Sequence, residues 1–160
     1  MTAGHTRSSL VLLSMLALPG VVLAYSCTVS ATATAFGNYI PSAITATDSV
    51  GTITVNCGSN ISALTANYSL ALSTGGSASY AQRLLSSGGH TLKYQLYRDL
   101  ARTLVWGDGT ASSSTVTGSV LLSVLVPVAA IHTVYGCITA LQTSAYAGSY
   151  SDNITVTLTY

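Results

Sequence analysis

Few residues of this 160-residue chain could carry chemistry. Its possible bases are His5, His90 and His132, its acids are Asp48, Asp99, Asp108 and Asp152, and it has no glutamate. A hydrolase needs a nucleophile, a base within reach and a group that orients the base. Serine and threonine are so frequent that they single out no nucleophile, and no Gly-x-Ser-x-Gly elbow is present. His90 follows Gly88-Gly89 in a turn and His132 lies near a strand, so both read as structural. Asp99 and Asp108 could imitate paired carboxylates, but each sits in a turn, where aspartate caps its own backbone. Gly107-Asp108-Gly109 lacks the alternating acidic ligands of a calcium loop. Neither catalysis nor a cofactor is expected. The ten tyrosines could form a carbohydrate platform, although in β proteins tyrosines more commonly serve the core and cross-strand pairs. The acceptor patterns at Asn60, Asn67 and Asn153 read as chance in so Ser/Thr-rich a chain.

The other reactive groups are Cys27, Cys57 and Cys137. They show no Cys-x-x-Cys or His-x-Cys spacing, which argues against a metal site. Sequence alone allows any one of three pairings. A bridge from Cys27 to Cys57 would close about thirty residues, worth roughly 3–4 kcal/mol of chain entropy. Cys137 reads most simply as a free thiol in a strand, the sharper alternative being a link between chains.

The segments that must position these groups begin with a leader. Arg7 precedes the apolar run Leu10–Leu18, Pro19-Gly20 break it, and Val22-Leu23-Ala24 offers a small-residue cleavage site. That is the layout of a secretory signal peptide over residues 1–24. The run is too short for a membrane span, which needs roughly 20 apolar residues. Export implies an oxidising compartment and a cysteine bridge. Residues 25–160 suit one domain with a core of its own. There Arg83, Arg98, Arg102 and Lys93 balance the four aspartates. A neutral surface of Thr, Ser and Gly attracts neither nucleic acid nor anionic membrane, and has little repulsion to keep copies apart.

Short alternating runs dominate. Thr52–Cys57, Tyr68–Leu72, Leu92–Tyr97 and Ile154–Tyr160 alternate polar with apolar residues, the signature of half-buried strands. Gly/Ser/Asp turns separate them at Thr74–Ser77, Ser87–His90, Gly107–Gly109 and Ala147–Ser149. Leu121–Ile131 is apolar but interrupted by Pro127, and predicts a buried strand or an apolar loop near a sheet edge. Seven or eight strands at this spacing predict an all-β, immunoglobulin-like β-sandwich. The last strand ends at Tyr160, and an uncovered apolar strand there would invite strand addition.

An ordered set of segments carries a resemblance. It runs through Cys27–Ala31, Ala35–Tyr39, Gly51–Cys57, Leu92–Asp99, Ala101–Gly109, Thr133–Gly136 and Ala147–Thr157. In this order they resemble the spore coat protein U domain family, subunits of archaic chaperone–usher pili. The resemblance implies a sandwich lacking its final strand, with a Cys27–Cys57 disulfide. It implies a groove filled by a periplasmic chaperone, then by a neighbouring pilin subunit's donor strand, in a fibre built by an usher. Ile154, Val156 and Leu158 would contribute to that groove. Two departures stand out. Cleavage after Ala24 leaves only Tyr25-Ser26 before Cys27, too little for a donor strand, which predicts a terminal subunit or a secreted, non-polymerising coat protein. Cys137–Leu141 replaces the basic residue and Pro-Ala-Gly turn of relatives. An adhesin touching surfaces through apolar loops, with Leu122 and Leu125 as contacts, is the alternative function.

Overall fold

The computed structural model describes residues 25–60 and 62–160, so the leader and its cleavage site lie outside the described residues. Eight strands follow in order: β1 (Tyr25–Ala31), β2 (Thr47–Ser59), β3 (Thr65–Leu72), β4 (Arg83–Ser87), β5 (His90–Tyr97), β6 (Val116–Leu121), β7 (Val128–Ile138) and β8 (Val156–Thr159). They form a five-stranded sheet, β1-β2-β7-β5-β4, and a three-stranded sheet, β6-β3-β8, with every pairing antiparallel. The all-β sandwich expected from the alternating runs is the fold observed.

The period-two pattern decides which side chains meet between the sheets. Ile53, Val55 and Cys57 of β2, Leu92, Tyr94 and Leu96 of β5, and Val134 and Ile138 of β7 are buried from one side. Ala66, Tyr68, Leu70 and Leu72 of β3 face them from the other. Trp106 is fully buried, and its indole N–H donates to the Leu70 carbonyl at 3.1 Å. Cys27 and Cys57 are register partners on β1 and β2 and are joined by a disulfide, with Cα atoms 4.1 Å apart. The disulfide implied by the resemblance is therefore present.

Arg83, on the core side of β4, is also fully buried. Its guanidinium donates to the Ser73 carbonyl at 2.7 and 3.1 Å, to the Trp106 carbonyl at 2.8 Å and to Gln95 Oε1 at 2.5 Å. The Gln95 amide in turn donates to the Tyr80 carbonyl at 2.8 Å. Burial holds the Arg83 pKa below the usual guanidinium value, with a partly offsetting field from Tyr94, Tyr80 and Asp152. Satisfied in this way, the charge ties β4 and β5 to the end of β3 and the Trp106 loop.

Two segments differ from expectation. Leu121–Ile131 is neither one strand nor one loop: it contains the end of β6, a turn and the start of β7. Pro127 immediately precedes β7, a position that costs the ladder no hydrogen bond. Leu122 turns inward there and is only 2% exposed, its N–H donating to Leu64 O at 2.8 Å. It cannot serve as a surface contact; its neighbour Leu125, 87% exposed, can. The final strand is also shorter than its alternating sequence. The chain first bonds reciprocally to β4 through Ser151 and Ser86, then crosses to the other sheet, so ladder pairing with β3 starts only at Val156.

Candidate functional site

The two sheets are not closed along one side. β8 pairs with β3 and has no strand partner on its other side among the described residues. The Thr155 carbonyl accepts from Ser73 N at 3.0 Å, so main-chain groups at 155, 157 and 159 face β3. By alternation, those at Ile154, Val156 and Leu158 face the opposite way, along an unpaired edge. The side chains of the same three residues point inward and pack, partly buried, against the core.

The opposite wall is the segment following β1. Thr32 still bonds to Thr52 on β2, but from Ala33 to Tyr39 no main-chain group bonds to another main-chain group among the described residues. The segment leaves the sheet edge and passes across the core-facing side of the larger sheet. Two glycines make room for it. A Cβ on Gly51 of β2 would lie 2.7 Å from Thr34 Oγ1, and one on Gly136 of β7 would lie 2.6 Å from Thr34 Cγ2 and 2.8 Å from the Phe36 ring. Phe36 packs edge-on against Tyr94 at 5.9 Å, and the Tyr39 hydroxyl donates to Thr139 O at 2.9 Å. This bed holds the segment opposite β8 without main-chain partners, its Ala35 carbonyl accepting from Ser49 Oγ at 2.6 Å.

A cleft of about 280 Å³ lies between the walls. Phe36, Ile53, Leu72, Leu85, Leu96 and Val134 supply apolar surface, with Ile154 and Val156 on the β8 side. It abuts a wider hollow of about 950 Å³ between residues 33–41 and 145–152. At the other end the walls converge, with the Tyr25 and Tyr160 rings 5.8 Å apart. Of the three groove residues expected from sequence, Ile154 and Val156 line this cleft, while Leu158 lies beyond its lining on the same strand face. Reasoning from sequence missed the Phe36 wall and the floor from β2, β5 and β7. The 33–39 segment lacks periodicity, and only the bulk of Phe36 between small residues hinted at its role.

One charged group faces this space. The Asp152 carboxylate accepts from Gly76 N at 2.9 Å and Asn153 N at 2.8 Å through Oδ1, and from the Tyr94 hydroxyl at 2.7 Å through Oδ2. Burial first, and then this carboxylate, push the Tyr94 pKa far above that of an ordinary phenol.

The remaining titratable groups occupy structural positions. His132 Nε2 lies 2.8 Å from the Tyr68 hydroxyl, and burial lowers its pKa. His90 stacks on Tyr146 at 4.0 Å. Asp99 accepts from Thr103 and Leu104, and Asp108 from Thr110, each capping its own turn. Among the described residues no group of three or more His, Cys, Asp or Glu could hold a metal, and no helix is long and apolar enough to cross a membrane.

Cys137, an unpaired thiol on β7, has its pKa raised, chiefly by burial and then by Asp48 on the adjacent strand. Less thiolate at neutral pH means slower alkylation. Iodoacetamide at pH 7.5 is expected to label native Cys137 at least several-fold more slowly than the urea-unfolded chain. Equal rates in a mass-spectrometric time course would contradict this placement.

The family model of the spore coat protein U domain matches residues 13–157. The chain belongs to the spore coat protein U domain family. The domain also shares its fold with a solved structure, the CsuC–CsuE chaperone–tip adhesion subunit pre-assembly complex from the archaic chaperone–usher Csu pili of Acinetobacter baumannii. The TM-score is 0.54 at 20% identity, over 86% of this chain and 40% of that one. This spore coat protein U domain thus spans about two-fifths of the length of the matched chain. No curated protein sequence matches it.

Proposed function

We propose that this protein is a structural subunit of a chaperone–usher surface pilus or coat, and that it accepts a β-strand from a partner polypeptide. The observation that carries the reading is the cleft between β8 and residues 33–39. Its floor is apolar, and both walls have main-chain groups without main-chain partners. An inserted strand would hydrogen-bond to both walls and place alternate side chains on the floor, which is the physics of strand addition. Family membership and the fold shared with the pilus complex support the assembly class. The expected partners are a periplasmic chaperone, an usher and neighbouring subunits, reached by export to the periplasm and then the cell surface. On this reading the protein is not an enzyme.

Its place in a fibre depends on how it is processed. Cleavage after Ala24 would leave Tyr25 and Ser26 ahead of Cys27, and both are engaged in β1, opposite Ser59 and Gly58. A subunit so processed accepts a strand without donating one, as a terminal subunit does. Amino-terminal sequencing tests this: ten or more residues before Cys27 would remove the terminal assignment. The acceptor role itself is tested by expression with and without the cognate chaperone. Periplasmic yield is expected to fall at least several-fold without it. Equal yield and equal stability in both cases would reject an incomplete fold.

A second reading, surface adhesion, is favoured by one patch. Leu121, Val124, Leu125 and Val126 are all about half exposed or more at the β6–β7 turn. Leu125→Asn is expected to reduce adhesion to an apolar surface several-fold with assembly unchanged. Unaltered adhesion would reject this reading.

A further inference from the structure

Resting on the strand-acceptor reading, we propose that the strand filling the cleft carries a lysine or arginine at the inward position facing Asp152, and that this pairing sets its register. Asp152 has the same parity as Ile154 and Val156 and lines the same cleft, so it is the polar member of an otherwise apolar inward row. It also lines the wider hollow, which places it where the apolar floor gives way to a roomier region.

The local chemistry leaves the carboxylate incomplete. A carboxylate offers about four lone-pair sites. Three are taken, by Gly76 N, Asn153 N and the Tyr94 hydroxyl, and all three donors are neutral. The only ion pair among the described residues is Arg102–Asp48, elsewhere on the molecule. Arg83 exerts a field on this region, but its guanidinium is bonded to Ser73, Gln95 and Trp106. With the cleft open, water can solvate Asp152. A strand laid over it removes that water and leaves the anion only the field of Arg83, which makes no hydrogen bond to it, and burying a charge without a bonded counter-ion is costly. An occupant with a cation at this one position avoids the penalty, whereas a strand displaced by two residues would set an apolar side chain on the carboxylate. Inward positions of a strand recur about every 6.8 Å, so a single charged contact suffices to reject such slips.

The test uses the mature protein and synthetic twelve-residue peptides with Val or Ile at every inward position. In a series of these, one lysine is walked through the inward positions in turn, with norleucine there as the apolar match. One lysine position is expected to bind about tenfold tighter than its norleucine counterpart at low salt. The advantage should vanish in Asp152→Asn, which retains an acceptor for the two backbone amides, and should shrink in about 0.5 M salt. If lysine weakens binding at every position in the native protein, the proposal is overturned; the native protein alone decides this, whether or not Asp152→Asn folds. If the norleucine peptides bind and Val156→Asp abolishes that binding, the acceptor reading stands whatever the lysine series shows. If no peptide binds, both readings fall.

Discussion

Replacing Arg83 by methionine is expected to destabilise the domain by about 3–5 kcal/mol, because it takes the donor from several buried neutral acceptors at once. Methionine fills much of the volume but donates nothing. The Ser73 and Trp106 carbonyls and Gln95 Oε1 would all lose hydrogen bonds from this side chain at once. Each buried acceptor left unsatisfied costs about 1–3 kcal/mol. Gln95 also receives the Leu96 N–H and donates to Tyr80, so the damage spreads into the β5 edge of the network. Arg83→Lys should recover only part of the loss, because one ammonium group cannot reproduce the planar fork that spans three acceptors. Urea unfolding of the purified mature protein measures both variants. A midpoint for Arg83→Met equivalent to less than about 1 kcal/mol of loss would show that the network is not under this demand.

The second large effect concerns the Cys27–Cys57 bridge. The two residues are 30 apart in sequence, so removing both by Cys27→Ser/Cys57→Ser should cost roughly 3–4 kcal/mol through the freed entropy of the unfolded chain. Folded-state loss adds to this, since Cys57 is fully buried and a serine hydroxyl there would need a partner. The consequence for function is local as well as global. β1 is an edge strand whose only ladder partner is β2, and the chain leaving it forms one wall of the cleft. Loosening β1 should therefore blur the cleft before the rest of the sandwich melts. Thermal unfolding with and without reductant tests the first part. A shift under about 3 °C for the double variant would contradict it, since 1 kcal/mol alone moves the midpoint of a domain this size by roughly that much or more.

The legibility of the structure in the sequence followed the strength of local periodicity. Thr52–Cys57 and Leu92–Tyr97 alternate cleanly, and both are central strands whose inward residues are buried. The β8 edge was legible for the same reason, through Ile154, Val156 and Leu158. Leu122 was misread because an uninterrupted apolar run has no phase. Only the turn after β6, with Leu122 bonded to Leu64, decides that it points in while Leu125 points out. The 33–39 wall was hidden for a different reason. Its placement is dictated by absent side chains at Gly51 and Gly136, which lie 17 positions from Thr34 and 100 from Phe36 on other strands. Asp152 figured only among the four acids and in the charge balance, since nothing local announces that Tyr94, 58 residues earlier, will meet it.

The two walls of the cleft come from opposite ends of the described chain, one just after β1 and the other at β8. A strand bonded between them would run alongside both. Tension applied lengthwise to it would have to break rows of hydrogen bonds on either flank together, in shear, rather than peeling them one at a time. A fibre jointed in this manner would resist pulling far better than its modest individual contacts suggest.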